Sequence, residues 1–169
     1  MFSRTPDASD PKPSQLSNGY GLLYELVSKQ ADLNKALMLH DAGDETRDLI
    51  EQIAQSSRVA TEKLELFARA DPGLTLGNTG LPRIDTNARN AEESSQTWRL
   101  LFSEGVFELR LLLTQVSATS YGANLADELE SLDPDPERRA WLLRFAEEYR
   151  AFHERVEFRL ALKETISKQ

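Results

Sequence analysis

The sequence predicts an all-α protein, a four-helix bundle whose second and third long helices are joined by one long crossover. Three observations carry that prediction. Apolar residues recur at helical spacing from residue 20 onward, and no stretch alternates at period two. β-Branched residues are sparse, so the chain lacks the usual material of strands. Proline and glycine fall in clusters that cut the pattern into long blocks.

Residues 1 to 17 are polar and hold Pro6, Pro11 and Pro13, so they read as a flexible arm before a single domain spanning 18 to 166. The first helix is expected from Asn18, a suitable N-cap, to Ala42, with Gly43 ending it. Its stripe is Leu22, Leu23, Leu26, Leu33 and Leu37. The second runs from Asp44 to Ala70 and stops at Asp71-Pro72-Gly73; Ile50, Ile53, Ala60, Leu64 and Phe67 form its stripe. The glycine-rich connection GLTLGNTGLPRID follows. A shorter helix then starts at Asp85 or Thr86, carries Ala91, Trp98, Leu101 and Phe102, and bends or breaks at Gly105. The next long helix continues to Leu132, where Asp133-Pro134-Asp135-Pro136 stops it. The last starts at Pro136, a favoured first-turn residue, and runs to Ile166 on Leu142, Phe145, Ala146, Tyr149, Phe152, Val156 and Leu160. Two tight connections and one long crossover give an up-down bundle of ferritin-like connectivity.

The totals exclude several functions. The chain has 169 residues, 28 acidic against 20 basic, and a net charge of −8 with no basic run, which disfavours nucleic acid as a partner. It has no cysteine, so thiolate catalysis, thiolate zinc sites, iron–sulfur clusters and disulfides are all removed. No apolar run approaches the ~20 residues of a transmembrane helix. MFSRTPDASDPKPSQ has no apolar signal-peptide core, so the chain as written reads as cytoplasmic; the mature form of an exported protein is the alternative. LTLGNTGLP lacks the lysine and the preceding strand of a phosphate-binding loop. The scattered serines and the two helical histidines form no nucleophile–histidine–acid set.

Helical-wheel placement puts one polar residue at the middle of each long helix's apolar face. These are Gln30, Ser57, Thr119 and His153. Such a layer is what a ferritin-like protein uses for metal, but a di-iron centre needs two carboxylates and two Glu-x-x-His pairs. Here Leu37 and Arg150 occupy the positions three before His40 and His153. Glu65, Glu108 and Glu157 fall on the flanks of the stripes, where long side chains reach to water. The layer therefore reads as a buried polar register device with no cofactor. Ser57 and Thr119 would bond to the preceding turn, and Gln30 and His153 to each other or through a water. The alternative is an iron, manganese or zinc site around His153 and Glu157, helped by Gln30. His40 stands at a helix end, about 15 Å along the axis from Gln30.

Three stretches carry a resemblance. DETRDLIEQIAQSSRVATEKLELFARADPGLTL, FSEGVFELRLLLTQV and DPDPERRAWLLRFAEEYRAFHERV resemble a bacterial ferritin-like family catalogued as a domain of unknown function, across residues 25 to 160. Its members are typically small and often exported, with an Asp-His pair in the second helix and another in the fourth. Those pairs fall here on Ser56-Ser57 and Ala118-Thr119, so both histidines are absent. His153 lies within one position of the family's late histidine, and the acidic position of its first helix lands near Gln30 and Asp32. The resemblance implies the fold and weakens the metal reading.

The helix ending at Leu132 has two apolar faces. Leu109, Leu112, Val116 and Ala123 form the expected inner one; Phe107, Leu111, Ala118, Tyr121, Leu125 and Leu132 form the other. The crossover helix could cover the outer face through Ile84, Trp98 and Leu101, or a second copy could dock there over Phe107, Leu111, Tyr121 and Leu125. Phe158 and Leu162 add an apolar edge on the last helix. The leading expectation is a non-enzymatic structural or protein-interaction bundle, a homodimer. A metal-binding or oxidase bundle is second. A carrier of a small apolar ligand beside Ser57, Ala60 and Gly105 is third.

Overall fold

The computed structural model describes residues 15 to 77 and 107 to 168. All the regular structure there is helical: α1 (Gln15–Ala31), α2 (Leu33–Leu39), α3 (Asp44–Ala70), α4 (Phe107–Leu132) and α5 (Pro136–Ser167). The crossover helix with Trp98, Leu101 and Gly105 lies outside the described residues.

The expected first helix is two. It begins at Gln15, inside the expected arm, and is interrupted at Asp32, whose backbone (φ −95°, ψ 0°) starts the short α2. Aspartate competes with the helical ladder for its own backbone, which makes it a natural break point. Ser17, placed in the arm by sequence, is buried and accepts a hydrogen bond from the Thr75 amide at 3.0 Å. Gly43 ends no helix; it is the N-cap of α3, followed by Asp44 and Glu45, which suit the helix dipole. The boundaries of α3 match the sequence expectation. Asp71 closes it with an Asx turn, its Oδ1 accepting from the Gly73 amide at 2.9 Å. At the other hairpin, Asp135 caps α5 by accepting from the Arg138 amide at 2.9 Å, with Pro136 in the first turn.

α1, α3, α4 and α5 pack together around one core. α1 runs antiparallel to both α3 and α4, since Ser17 meets Thr75 beyond the end of α3 and Tyr20 meets Asp133 beyond the end of α4. α5 likewise opposes both: Glu45 and Lys63 of α3 meet Arg159 and Glu137, and Glu108 and Asp127 of α4 meet Lys163 and Arg150. α3 and α4 therefore run the same way. The chain leaves α3 at one end of the bundle and enters α4 at the other, about 40 Å away along a helix of this length.

The stripes of α3 and α5 are buried as expected, with Leu160 half-buried. α1 is rotated: Tyr20, Leu23, Val27 and Gln30 face the core, while Leu22 is exposed. α4 is rotated too. Its buried face is Leu111, Leu112, Gln115, Thr119, Gly122, Ala123, Ala126 and Leu129, with Leu109 and Val116 on the flank. Phe107 and Leu111, expected at a dimer interface, are core residues instead. Of that set only Tyr121 is well exposed, at 48%, and Leu125 is half-buried against the core. Small residues explain the rotation, because they let α4 approach both neighbours closely. A Cβ on Gly122 would lie 2.7 Å from Tyr149 Cδ1 and 2.9 Å from Leu26 Cδ2.

A carboxylate ties each end. Asp133 accepts from the Tyr20 hydroxyl at 2.6 Å and from Arg138 Nε and Nη2, both at 2.8 Å; Arg138 Nη1 reaches Asp71 at 3.0 Å. Burial alone would raise the Asp133 carboxyl, but hydrogen bonds from Arg138, Tyr20 and the Asp135 amide outweigh it and hold it below the usual carboxylate range. At the opposite end Glu108 joins Thr46 of α3 to Lys163 of α5. Burial raises that carboxyl as well, and the Lys163 and Thr46 hydrogen bonds again bring it below normal. The flank position read for Glu108 thus holds, but its side chain turns inward to partners rather than out to water.

Candidate functional site

Ser57, Thr119, Gln30 and His153 come to the middle of the bundle, but in two separate pairings and one orphan. Ser57 Oγ donates to the Ile53 carbonyl at 2.7 Å, which leaves its lone pairs for the Tyr149 hydroxyl at 2.6 Å. Tyr149 is fully buried. That burial pushes its phenol far above the usual range. Thr119 Oγ1 donates to the Gln115 carbonyl at 2.7 Å and lies 3.1 Å from His153 Nδ1. Nδ1 is also 3.1 Å from the Val116 carbonyl. A carbonyl only accepts and the Thr119 hydrogen is already engaged, so Nδ1 must carry the ring hydrogen. Nε2 turns the other way, to Glu157 Oε1 at 3.2 Å.

A direct Gln30–His153 bond is absent: Gln30 is 5% exposed and its Oε1 has no protein partner. Gln115, which the sequence reading did not single out, is 0% exposed with both Nε2 and Oε1 unpartnered. Its signal was its place one helical turn before Thr119, on the same face. Tyr149 was read as a core ring, and its hydroxyl's search for a partner could have been anticipated.

The donor chemistry does not fit a dinuclear metal centre. The interior offers hydroxyls, amides and one imidazole, and among the described residues no three His, Asp or Glu side chains converge on a point. His40 is remote from the layer, its ring 4.9 Å from that of Phe107.

The surface is more distinctive. A groove of about 520 Å³ lies between α3 and α5, floored by Ala60, Phe145 and Phe152 and flanked by Val59, Trp141, Gln52 and Arg144. A second, of about 410 Å³, continues along the same seam past Leu49, Arg155, Phe158 and Leu162. Arg155 Nη1 donates across the seam to Gln52 Oε1 at 2.9 Å, and Lys63–Glu137 and Arg159–Glu45 cross it as well. Aromatic rings run behind it in a ladder: Phe67–Trp141 at 5.6 Å, Trp141–Phe145 at 5.4 Å, Phe145–Tyr149 at 4.2 Å and Tyr149–Phe152 at 6.1 Å. The carrier reading used Ser57, Ala60 and Gly105; Gly105 lies outside the described residues, Ser57 and Ala60 are both buried, and Ala60 lines this open groove.

No protein-family model, no curated protein and no solved structure matches this chain. Among the described residues no helix is long and apolar enough to cross a membrane.

Proposed function

We propose that this chain is a ferritin-like helical bundle that acts as a protein-interaction module rather than an enzyme, and that the α3–α5 seam is its working surface. The shared direction of α3 and α4, with a single long connection between them, supports the ferritin-like part of this reading. The single observation that carries the functional part is the groove itself. Its floor is aromatic, and Val59 on its edge and Phe158 in the second groove along the seam stand 55% and 64% exposed. Aromatic side chains in a recess with a polar rim are the composition of binding hot spots. The interior hydroxyls of α3, α4 and α5 support the non-enzymatic part, because Ser57 is engaged with Tyr149, and Thr119 with His153 and the Gln115 carbonyl.

The first partner to test is a second copy. Sedimentation equilibrium across a wide concentration range is expected to give a dimer that Val59→Glu with Phe158→Glu converts to monomer. A dimer untouched by those changes moves the interface to Tyr121 and Leu125 on α4. A monomer throughout removes self-association from the reading.

A further inference from the structure

We propose that the occupant of the α3–α5 seam is a second copy of this chain, packed antiparallel along α5 about a two-fold axis midway between Ala151 and Arg155. The inference rests on the interaction reading above and specifies its partner. The first observation is a stripe on the outer side of α5. Arg144, Glu148, Ala151, Arg155, Phe158 and Leu162 are all exposed and follow one another at alternating steps of four and three. That is the spacing with which one helix packs lengthwise against another. A two-fold interface uses the same patch twice, so the patch must complement itself. With Ala151 set against the partner's Arg155, Glu148 meets the partner's Phe158 and Arg144 meets the partner's Leu162, and no member of the stripe is left over.

The composition of the two halves is the second observation. Phe158 and Leu162, 64% and 39% exposed, make one end an apolar projection. Arg144 and Glu148, at the other end, form the α5 rim of the recess over Phe145 and Phe152. The antiparallel register lays each projection beside the partner's recess. The third observation is charge. Among the described residues Glu148 has no hydrogen bond or ion pair. In this register it lies three residues, about 4.5 Å along the axis, from the level of the partner's Arg155. Arg155 gives Nη1 to Gln52 at 2.9 Å, and a guanidinium carries several further N–H donors. A parallel pairing would instead set Glu148 on Glu148 and Arg155 on Arg155, which like charges oppose, and would leave both recesses uncovered.

The chain has no cysteine, so engineered ones report on the register directly. Arg144→Cys and Leu162→Cys lie at opposite ends of the stripe, about 27 Å apart along α5. They are oxidised mildly, alone and as an equal mixture with one variant isotopically labelled, at a concentration where sedimentation shows a dimer. The expected result is a disulfide between unlike variants, at least tenfold more abundant than from either variant alone, and lost when Phe158→Glu is added to both. Glu148→Arg should weaken the dimer about tenfold, and Arg155→Glu in the same chain should restore it. Disulfides between like variants would mean a parallel pairing and overturn the proposal. No disulfide, from a dimer that Val59→Glu still dissociates, would overturn the register while the seam reading stands. A monomer at every concentration would overturn the second copy and leave the seam to a different protein. A dimer indifferent to Val59→Glu would overturn both.

Discussion

Replacing Gln115 with methionine should make the protein more stable, although it removes a polar residue from a layer that looks designed. The Gln115 side chain is 0% exposed, and neither amide atom has a hydrogen-bond partner. Burying an unpaired amide costs about 1–3 kcal/mol by protein mutational data. Methionine has nearly the same length and volume, and such swaps cost under about 1.5 kcal/mol in repacking. The net expectation is a gain of about 1 kcal/mol, or a rise in melting temperature of roughly 2–4 °C for a domain of this size. Urea unfolding with an unchanged slope gives the free energy directly. Gln115→Ala is the control, because it also removes the amide but opens a cavity, and it should lose stability. A loss of 1 kcal/mol or more in Gln115→Met would refute the reasoning, since it would mean that the amide has a partner in solution.

The remaining expectations concern packing and charge. Asp133→Asn leaves the Arg138 guanidinium, whose side chain is 11% exposed, without its buried counter-charge; equilibrium unfolding should show a loss of about 3 kcal/mol. Asp133 and Glu108 both have folded-state carboxyl pKa values below normal, so near pH 4 the unfolded chain binds more protons than the folded one. Their stabilisation is therefore complete above the ordinary carboxylate range and is lost as pH falls through their lowered folded values. Urea midpoints should be level from neutral pH down to about 5 and fall below about 4, with a shallower fall in Asp133→Asn. Gly122→Ala would gain up to about 1 kcal/mol of helix propensity in open space. Here its Cβ meets Tyr149 and Leu26, so thermal unfolding should instead show a net loss of about 1–3 kcal/mol.

Particular residues show what the sequence discloses and what it conceals. α3 and α5 were legible because each carries a regular inward stripe, whatever apolar residues also stand outside it, such as Val59 and Phe158, and their ends carry strong stop and start signals, Asp71-Pro72-Gly73 and Asp135-Pro136. α4 misled because it is apolar nearly all round, so its wheel offers no single inward direction. Glycine and alanine at 122, 123 and 126 decide the orientation through close approach, and hydrophobicity does not register that. The break at Asp32 was hidden because neither proline nor glycine marks it. In the polar layer the residues Ser57, Thr119 and His153 were readable from periodicity. Their pairing was not, because it depends on the vertical register of neighbouring helices, which the end knots at Asp133 and Glu108 help set. The groove was illegible for a related reason. It reflects how far α3 and α5 stand apart, a distance that belongs to neither helix alone.

The central claim, that the α3–α5 seam is where this bundle meets its partner, is tested most directly by site-specific photo-crosslinking in cells that express the chain naturally. A photoreactive phenylalanine analogue at Gln55 lies on the groove, and one at Leu113 on exposed α4 surface gives the control. The account predicts a discrete adduct from position 55 that is absent from position 113 and lost on Val59→Glu. An adduct at twice the chain's own mass would identify the partner as a second copy. Equal adducts from both positions, or an adduct at position 55 indifferent to Val59→Glu, would contradict it.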